Sequence, residues 1–208
     1  AGRYASNWEL SLARADAGED EGRKLRRILT PLVKFRVCRD ARKVTGDGME
    51  ARGGVGYIEE WPEPRLVRDS HLGSIWEGTS NIVALDVLRA ARKDAAHLAL
   101  GAALSRRMAE AGVEATLLER LDGLLARAVS AVTAAAEAGA DDRARTVASG
   151  LYHATSACLL ACEGAVLKDP KRTALAALVI RHKLTPRDPL EEDDGDGDAR
   201  ASDLLLST

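Results

Sequence analysis

The stretch from Gly48 to Arg89, GMEARGGVGYIEEWPEPRLVRDSHLGSIWEGTSNIVALDVLR, decides how the rest of the chain is read. It has three parts. Gly53, Gly54 and Gly56 crowd together and end in Tyr57, a polar segment containing Pro62 and Pro64 leads to Arg68-Asp69, and Ile75-Trp76-Glu77-Gly78-Thr79-Ser80 opens an apolar run. Glycines without a Cβ reach backbone angles closed to other residues and let a ligand or a neighbouring chain approach the main chain. The residues before them have helical character, so these glycines end a helix. A dinucleotide fingerprint needs a strand upstream, and that reading is excluded. What remains is a helix stop and turn, or a turn built for close approach.

The third part is the more specific. Glu77 stands between Trp76 and Gly78, within a turn of an N-cap at Thr79 or Ser80. A carboxylate with an apolar neighbour and helix N-terminal amides nearby has the surroundings of a general base. A surface Glu favoured by the helix dipole has the same sequence.

Taken together, GGVGY, RLVRD, IWEGTSNI and the closing Arg89 resemble, in order and spacing, the C-terminal domain of acyl-CoA dehydrogenases. Trp76 before Glu77, Ile58-Glu59-Glu60 after Tyr57, and LDVLR at Leu85 to Arg89 resemble the AidB-like flavoproteins, a branch named for a bacterial response to DNA alkylation. The resemblance covers residues 25 to 92.

The resemblance implies an FAD-dependent oxidoreductase acting on an acyl-CoA thioester. It implies that Gly53 and Gly54 lie along the FAD of a neighbouring subunit, while Thr79 and Asn81 approach the flavin from the chain's own side. Glu77 matches the carboxylate that removes the α-proton in many members; other branches carry this base on an earlier helix. Two positions depart from the pattern. Glu50 stands where many members have Gln, and Arg52 replaces an apolar residue. The resemblance further implies a homo-oligomer, dimer or tetramer, that completes the flavin site, and an electron-accepting flavoprotein or oxygen as the terminal acceptor. It also implies that N-terminal helical and β domains are missing from this chain.

Composition agrees with a helical protein. Aromatic residues make up only 3%, and Ala, Leu and Arg dominate. A formal net charge of -2 gives no global attraction to nucleic acid or membrane. Three cysteines without paired spacing point to reduced thiols and a cytoplasmic protein. No apolar run is long enough to span a bilayer.

Outward from the central stretch, residues 3–17 read as one helix and 23–45 as a second, kinked or restarted at Thr30-Pro31. Thr45-Gly46-Asp47-Gly48 either bends that helix or is accommodated within it. The 57–79 segment reads as a loop. The second helix is basic, with Arg23, Lys24, Arg26, Arg27, Lys34, Arg36 and Arg39 as candidate contacts to double-stranded DNA. A solvated face with acidic partners from elsewhere in the fold is the plainer reading of the same residues.

After Arg89, amphipathic helices follow to Gly112, over 113–139, over 141–167 and from 171 to 183. His153, Cys158 and Cys162 share a helix face but lack a fourth ligand, so no metal site is assigned. The four histidines lie apart and form no hydrolytic triad. Asp and Gly alternate from 193 to 198 without the spacing of a calcium loop. The expected architecture is an all-α antiparallel helical bundle over residues 1–184, with a family core at 23–92, a helical extension at 93–184, and a disordered acidic tail at 185–208. Three functions follow: the acyl-CoA dehydrogenase reading, a DNA-binding flavoprotein of the alkylation response, and an inactive helical oligomerisation fragment.

Overall fold

In the computed structural model, which describes residues 18–186, 188, 190 and 196–207, every regular element is helical. The helix expected at 3–17 lies outside the described residues. Helix α1 is Asp20–Ala51, α2 the single turn Gly54–Tyr57, and α3 Pro62–Leu72. Then come α4 (Ser80–Asp94), α5 (Ala96–Ala111), α6 (Ala115–Glu137), a 3₁₀ turn at Asp141–Arg143 and α7 (Ala144–Leu167). The last are α8 (Pro170–Val179), continued by a π-helical turn Ile180–Leu184, and α9 (Asp196–Leu206). They form the expected antiparallel bundle.

The core follows from helical spacing. Ile28, Leu32 and Phe35 recur along one face of α1 and are buried against Ala84, Val87 and Leu88 of α4. Leu121, Leu125 and Val132 of α6 and Leu151, Ala154 and Cys158 of α7 extend the same core. The basic side of α1 is tied to α4 through Arg27, whose guanidinium donates to both Asp86 oxygens at 2.9 and 2.8 Å. That fork is the bidentate arrangement in which Arg–carboxylate pairs are strongest.

The helix boundaries have local causes. Gly112 closes α5 in the left-handed region at φ 69°. Glu114 caps α6 by accepting from the Thr116 and Leu117 amides, which holds its carboxyl below the ordinary value. Asp169 caps α8 through the Lys171 amide, with Pro170 at the first helical position. Between α4 and α5 the chain turns at Ala95, φ 49°, so the apolar run after Arg89 is two helices and not one.

Three further expectations are corrected. Pro31 neither restarts nor ends α1, which runs unbroken from 20 to 51 through Gly46 and Gly48. The buried Pro31 ring belongs to the face packed in the core, and packing outweighs the missing hydrogen bond. The 57–79 segment is not all loop. Pro62 and Pro64 fall in the first turn of α3, where missing N–H groups cost nothing, and α3 packs on α1.

The tail is not disordered throughout. Residues 196–206 are a helix packed against α8, and Asp198 lies 3.2 Å from Arg181 and 3.0 Å from the His182 imidazole. Composition alone misjudged this part: the run Ala199-Arg200-Ala201 into Leu204-Leu205-Leu206 is helix-forming and amphipathic once Asp198 has basic partners.

Cys158 and Cys162 are buried, and burial pushes the Cys158 thiol up to about 12. Among the described residues no group of three His, Cys, Asp or Glu could hold a metal ion, and no helix is long and apolar enough to cross a membrane.

His153 on α7 carries a testable pH dependence. Burial, then the positive charges of Arg36 and Lys183, push its imidazole down from 6.5 to about 4. The unfolded chain therefore takes up this proton first. Stability from the neutral form is complete above pH 6.5 and declines as the pH falls towards 4. Urea unfolding of wild type and His153→Gln at pH 7 and pH 5 is expected to show a smaller loss at pH 5 in the variant; equal losses would remove His153 as the cause.

Candidate functional site

Two features from the central stretch stand exposed on the bundle. The first is the glycine turn. α1 ends at Ala51, the Gly53 amide donates to the Glu50 carbonyl at 2.9 Å, and Gly53 adopts φ 61°, ψ -145°. That region of backbone space is essentially restricted to glycine. A Cβ added at Gly53 or Gly54 would meet nothing within 4 Å, so both present bare, open backbone. Gly56 differs: an added Cβ would lie 2.3 Å from the Met49 carbonyl oxygen, so Gly56 is required to fold the turn back onto α1.

The departures from the family pattern have structural partners. Arg52 lies 5.0 Å from the Trp61 ring centroid and 3.3 Å from the Glu63 carboxylate, so it turns towards α3. Glu50 is exposed. Tyr57, beside the glycines, is 76% exposed.

The second feature precedes α4. Residues Ser74 to Thr79 leave α3 through a series of turns, and Glu77 sits at φ 56° with Gly78 following at φ 106°. A non-glycine residue in the left-handed region is strained by about 1–2 kcal/mol. Such strain is the kind of conformation that persists where a side chain must point in a set direction.

Lys34 from the middle of α1 holds this corner. Its ammonium donates to the Trp76 carbonyl at 2.9 Å and lies 3.6 Å from the Glu77 carboxylate. The Glu77 side chain is 88% exposed, and Ile75 and Trp76 beside it are exposed as well. Thr79 is the N-cap residue of α4 but makes no capping hydrogen bond, and Asn81 is exposed in the first turn. Their side chains are left available to a ligand.

Glu77, Thr79 and Asn81 are thus brought together, with Lys34 as a residue that sequence reading placed elsewhere. Lys34 and Glu77 are far apart in the chain, and no local pattern links them. Gly53 and Gly54 are not brought to the same place. Ala51 is a long way down α1 from Lys34, roughly 25 Å at the helical rise per residue.

The candidate DNA contacts on α1 are largely met by acids. Arg23 and Lys24 both pair with Asp20, Arg27 with Asp86 and Asp94, and Arg36 with Asp40. Lys34 serves the Glu77 corner, and Arg39 lies against the Phe35 ring.

Comparison with known proteins places the sequence that carries these features. Residues 5–92 match the family model "Acyl-CoA dehydrogenase, C-terminal domain". The chain carries an acyl-CoA dehydrogenase C-terminal domain. It is 43% identical over 93 residues to the putative acyl-CoA dehydrogenase AidB of Escherichia coli K12, a match covering 45% of this chain and 16% of that protein. With the 3-methylmercaptopropionyl-CoA dehydrogenase of Ruegeria pomeroyi it shares 32% identity over 163 residues, 76% of this chain and 24% of that protein. This second match shows that likeness to acyl-CoA dehydrogenases continues beyond residue 92.

The crystal structure of Caenorhabditis elegans ACDH-11 in complex with C11-CoA superposes with a TM-score of 0.63. That match covers 94% of this chain and 35% of ACDH-11 at 24% identity, and it supports the shared fold. The chain spans about a sixth to a quarter of the length of the two curated relatives named here. Both features, the glycine turn and the Glu77 corner, fall inside the matched domain.

Proposed function

We propose that this C-terminal domain serves an FAD-dependent acyl-CoA dehydrogenase and that Glu77 is the base that removes the α-proton of the acyl thioester. The observation that carries the reading is the Glu77 corner: a strained, exposed carboxylate within a matched domain, with Lys34 and the Trp76 carbonyl fixing its backbone. A base must be reachable, and Glu77 is. The exposed Trp76 and Ile75 beside it are apolar surface on which a substrate or a further domain excludes water.

The residues fit a flavin in two separate halves. Gly53 and Gly54 offer open backbone to a flat group, while Thr79 and Asn81 offer unengaged polar side chains. Because the halves stand roughly 25 Å apart along α1, one copy does not wrap both around one cofactor. A homo-oligomer that joins the glycine turn of one subunit to the Thr79 end of another resolves this.

FAD, when bound, supplies the acceptor for the β-hydrogen. The chain's own part is to position the thioester, exclude water and take the α-proton onto the Glu77 carboxylate. Glu77 needs the thioester carbonyl to be polarised by hydrogen-bond donors, since a carboxylate alone is too weak a base for an α-carbon. The three free cysteines support a reducing, cytoplasmic location. The test is acyl-CoA-dependent bleaching of the flavin absorbance of the FAD-loaded protein under anaerobic conditions. Bleaching is expected with a saturated acyl-CoA. No bleaching across short, medium and long acyl chains would overturn the reading.

A further inference from the structure

Arg36, Arg39 and Arg42 climb α1 at three-residue spacing where α7 packs against it. Arg36 donates from Nη1 to the Ser149 hydroxyl of α7 at 3.4 Å, and Arg145, one turn before Ser149 on the same helix, is near enough for its charge to act on Arg39. The Phe35 ring supports two of the guanidiniums, with its centroid 6.0 Å from that of Arg36 and 5.7 Å from that of Arg39. These contacts fix Arg36 and Arg39 in the packing, with Arg42 and Arg145 beside them.

Its charge balance sets it apart from the rest of α1. Elsewhere on the helix Asp20, Asp86 and Asp47 neutralise their basic neighbours. Here a single carboxylate, Asp40, pairs with Arg36, and no ion pair reaches Arg39, Arg42 or Arg145 among the described residues. Three positive charges are left uncompensated. The Nε atoms of Arg36 and Arg42 are buried without a hydrogen-bond partner. Burial, then the charges of Arg145, Arg36 and Arg42, press the Arg39 guanidinium below its ordinary value.

A buried donor without an acceptor and a knot of like charges both cost stability. Both costs are relieved by a ligand with two or more negative charges and several acceptor oxygens. A carboxylate supplies too little charge. Phosphate supplies enough, and its oxygens match the guanidinium fork.

We propose that the junction of α1 and α7 is a binding site for the phosphate or diphosphate group of a small molecule, held by Arg36, Arg39, Arg42 and Arg145. The site rests on these residues alone and stands whether or not the dehydrogenase reading does.

The experiment is calorimetric titration of the 208-residue chain with sodium pyrophosphate, ionic strength being held constant with sodium chloride. Saturable binding is expected, weakened tenfold or more in Arg145→Gln and unchanged in Arg65→Gln, a control on α3 that pairs with Asp69. Arg145 is exposed, so its replacement leaves the core intact. Relief of repulsion is also expected to raise the ligand-free thermal midpoint of Arg145→Gln above wild type. Absence of saturable binding, or equal affinity in Arg145→Gln, would overturn the proposal. Binding of a duplex oligonucleotide tenfold or more tighter than pyrophosphate at the same salt would overturn it in favour of a nucleic-acid interface.

Discussion

Glu77→Gln is expected to leave flavin binding intact and to lower acyl-CoA turnover by about 10²–10⁴-fold in the FAD-loaded protein, the range associated with loss of a general base. Gln is close in size to Glu and keeps an acceptor oxygen, so the corner's shape survives while the proton-accepting charge is lost. Two features of the structure bear on that outcome. The backbone strain at Glu77 belongs to the position and not to the carboxylate, so Gln inherits it. The Lys34 contact to the Trp76 carbonyl does not involve the Glu77 side chain and persists. Activity measured with an artificial electron acceptor, alongside the bound-flavin spectrum, separates loss of the base from loss of the cofactor. Turnover within twofold of wild type would place the base elsewhere.

The second large effect concerns the core. Phe35→Ala is expected to cost about 3–5 kcal/mol, the range for truncating a buried aromatic side chain. Phe35 is fully buried between α1 and its neighbours and also supports Arg36 and Arg39. A loss of that size is a large part of the roughly 5–15 kcal/mol that holds a domain folded. Chemical denaturation monitored by far-UV circular dichroism checks it. A loss below about 1 kcal/mol would mean that the α1 face closes over the cavity, and the tight core described above would be wrong.

Much of the fold was legible because helical spacing is a local signal. Ile28, Leu32 and Phe35 announce their buried face, Gly112 announces the end of α5, and Asp169-Pro170 the start of α8. The misreadings came where a local rule met a non-local contact. Pro31 obeys the rule against prolines in helices only until its ring is packed, and Pro62 and Pro64 mark a helix start as readily as a loop. The acidic end was judged by its Asp and Gly content, although Arg181 and His182 lie close in space to receive Asp198.

The site shows the same division. Gly53, Gly54, Glu77, Thr79 and Asn81 came from the family resemblance carried by the motifs around them. Lys34 stayed hidden, because its approach to Glu77 depends on how α1 packs beneath the turn before α4. The separation of the glycine turn from the Glu77 corner was equally hidden: sequence order gives no measure of distance along a straight helix. That separation is what makes a second subunit part of the proposed site.

Exchange of the α-proton of a saturated acyl-CoA with deuterated water, followed by mass spectrometry in FAD-loaded wild type and Glu77→Gln, addresses the central claim most directly. It reads the proton-transfer step without requiring net oxidation. The account predicts deuterium uptake at the α-carbon with wild type and little or none with Glu77→Gln, at equal flavin content. Uptake at the wild-type rate in Glu77→Gln would contradict it, leaving Glu77 a strained surface carboxylate and moving the base to another residue.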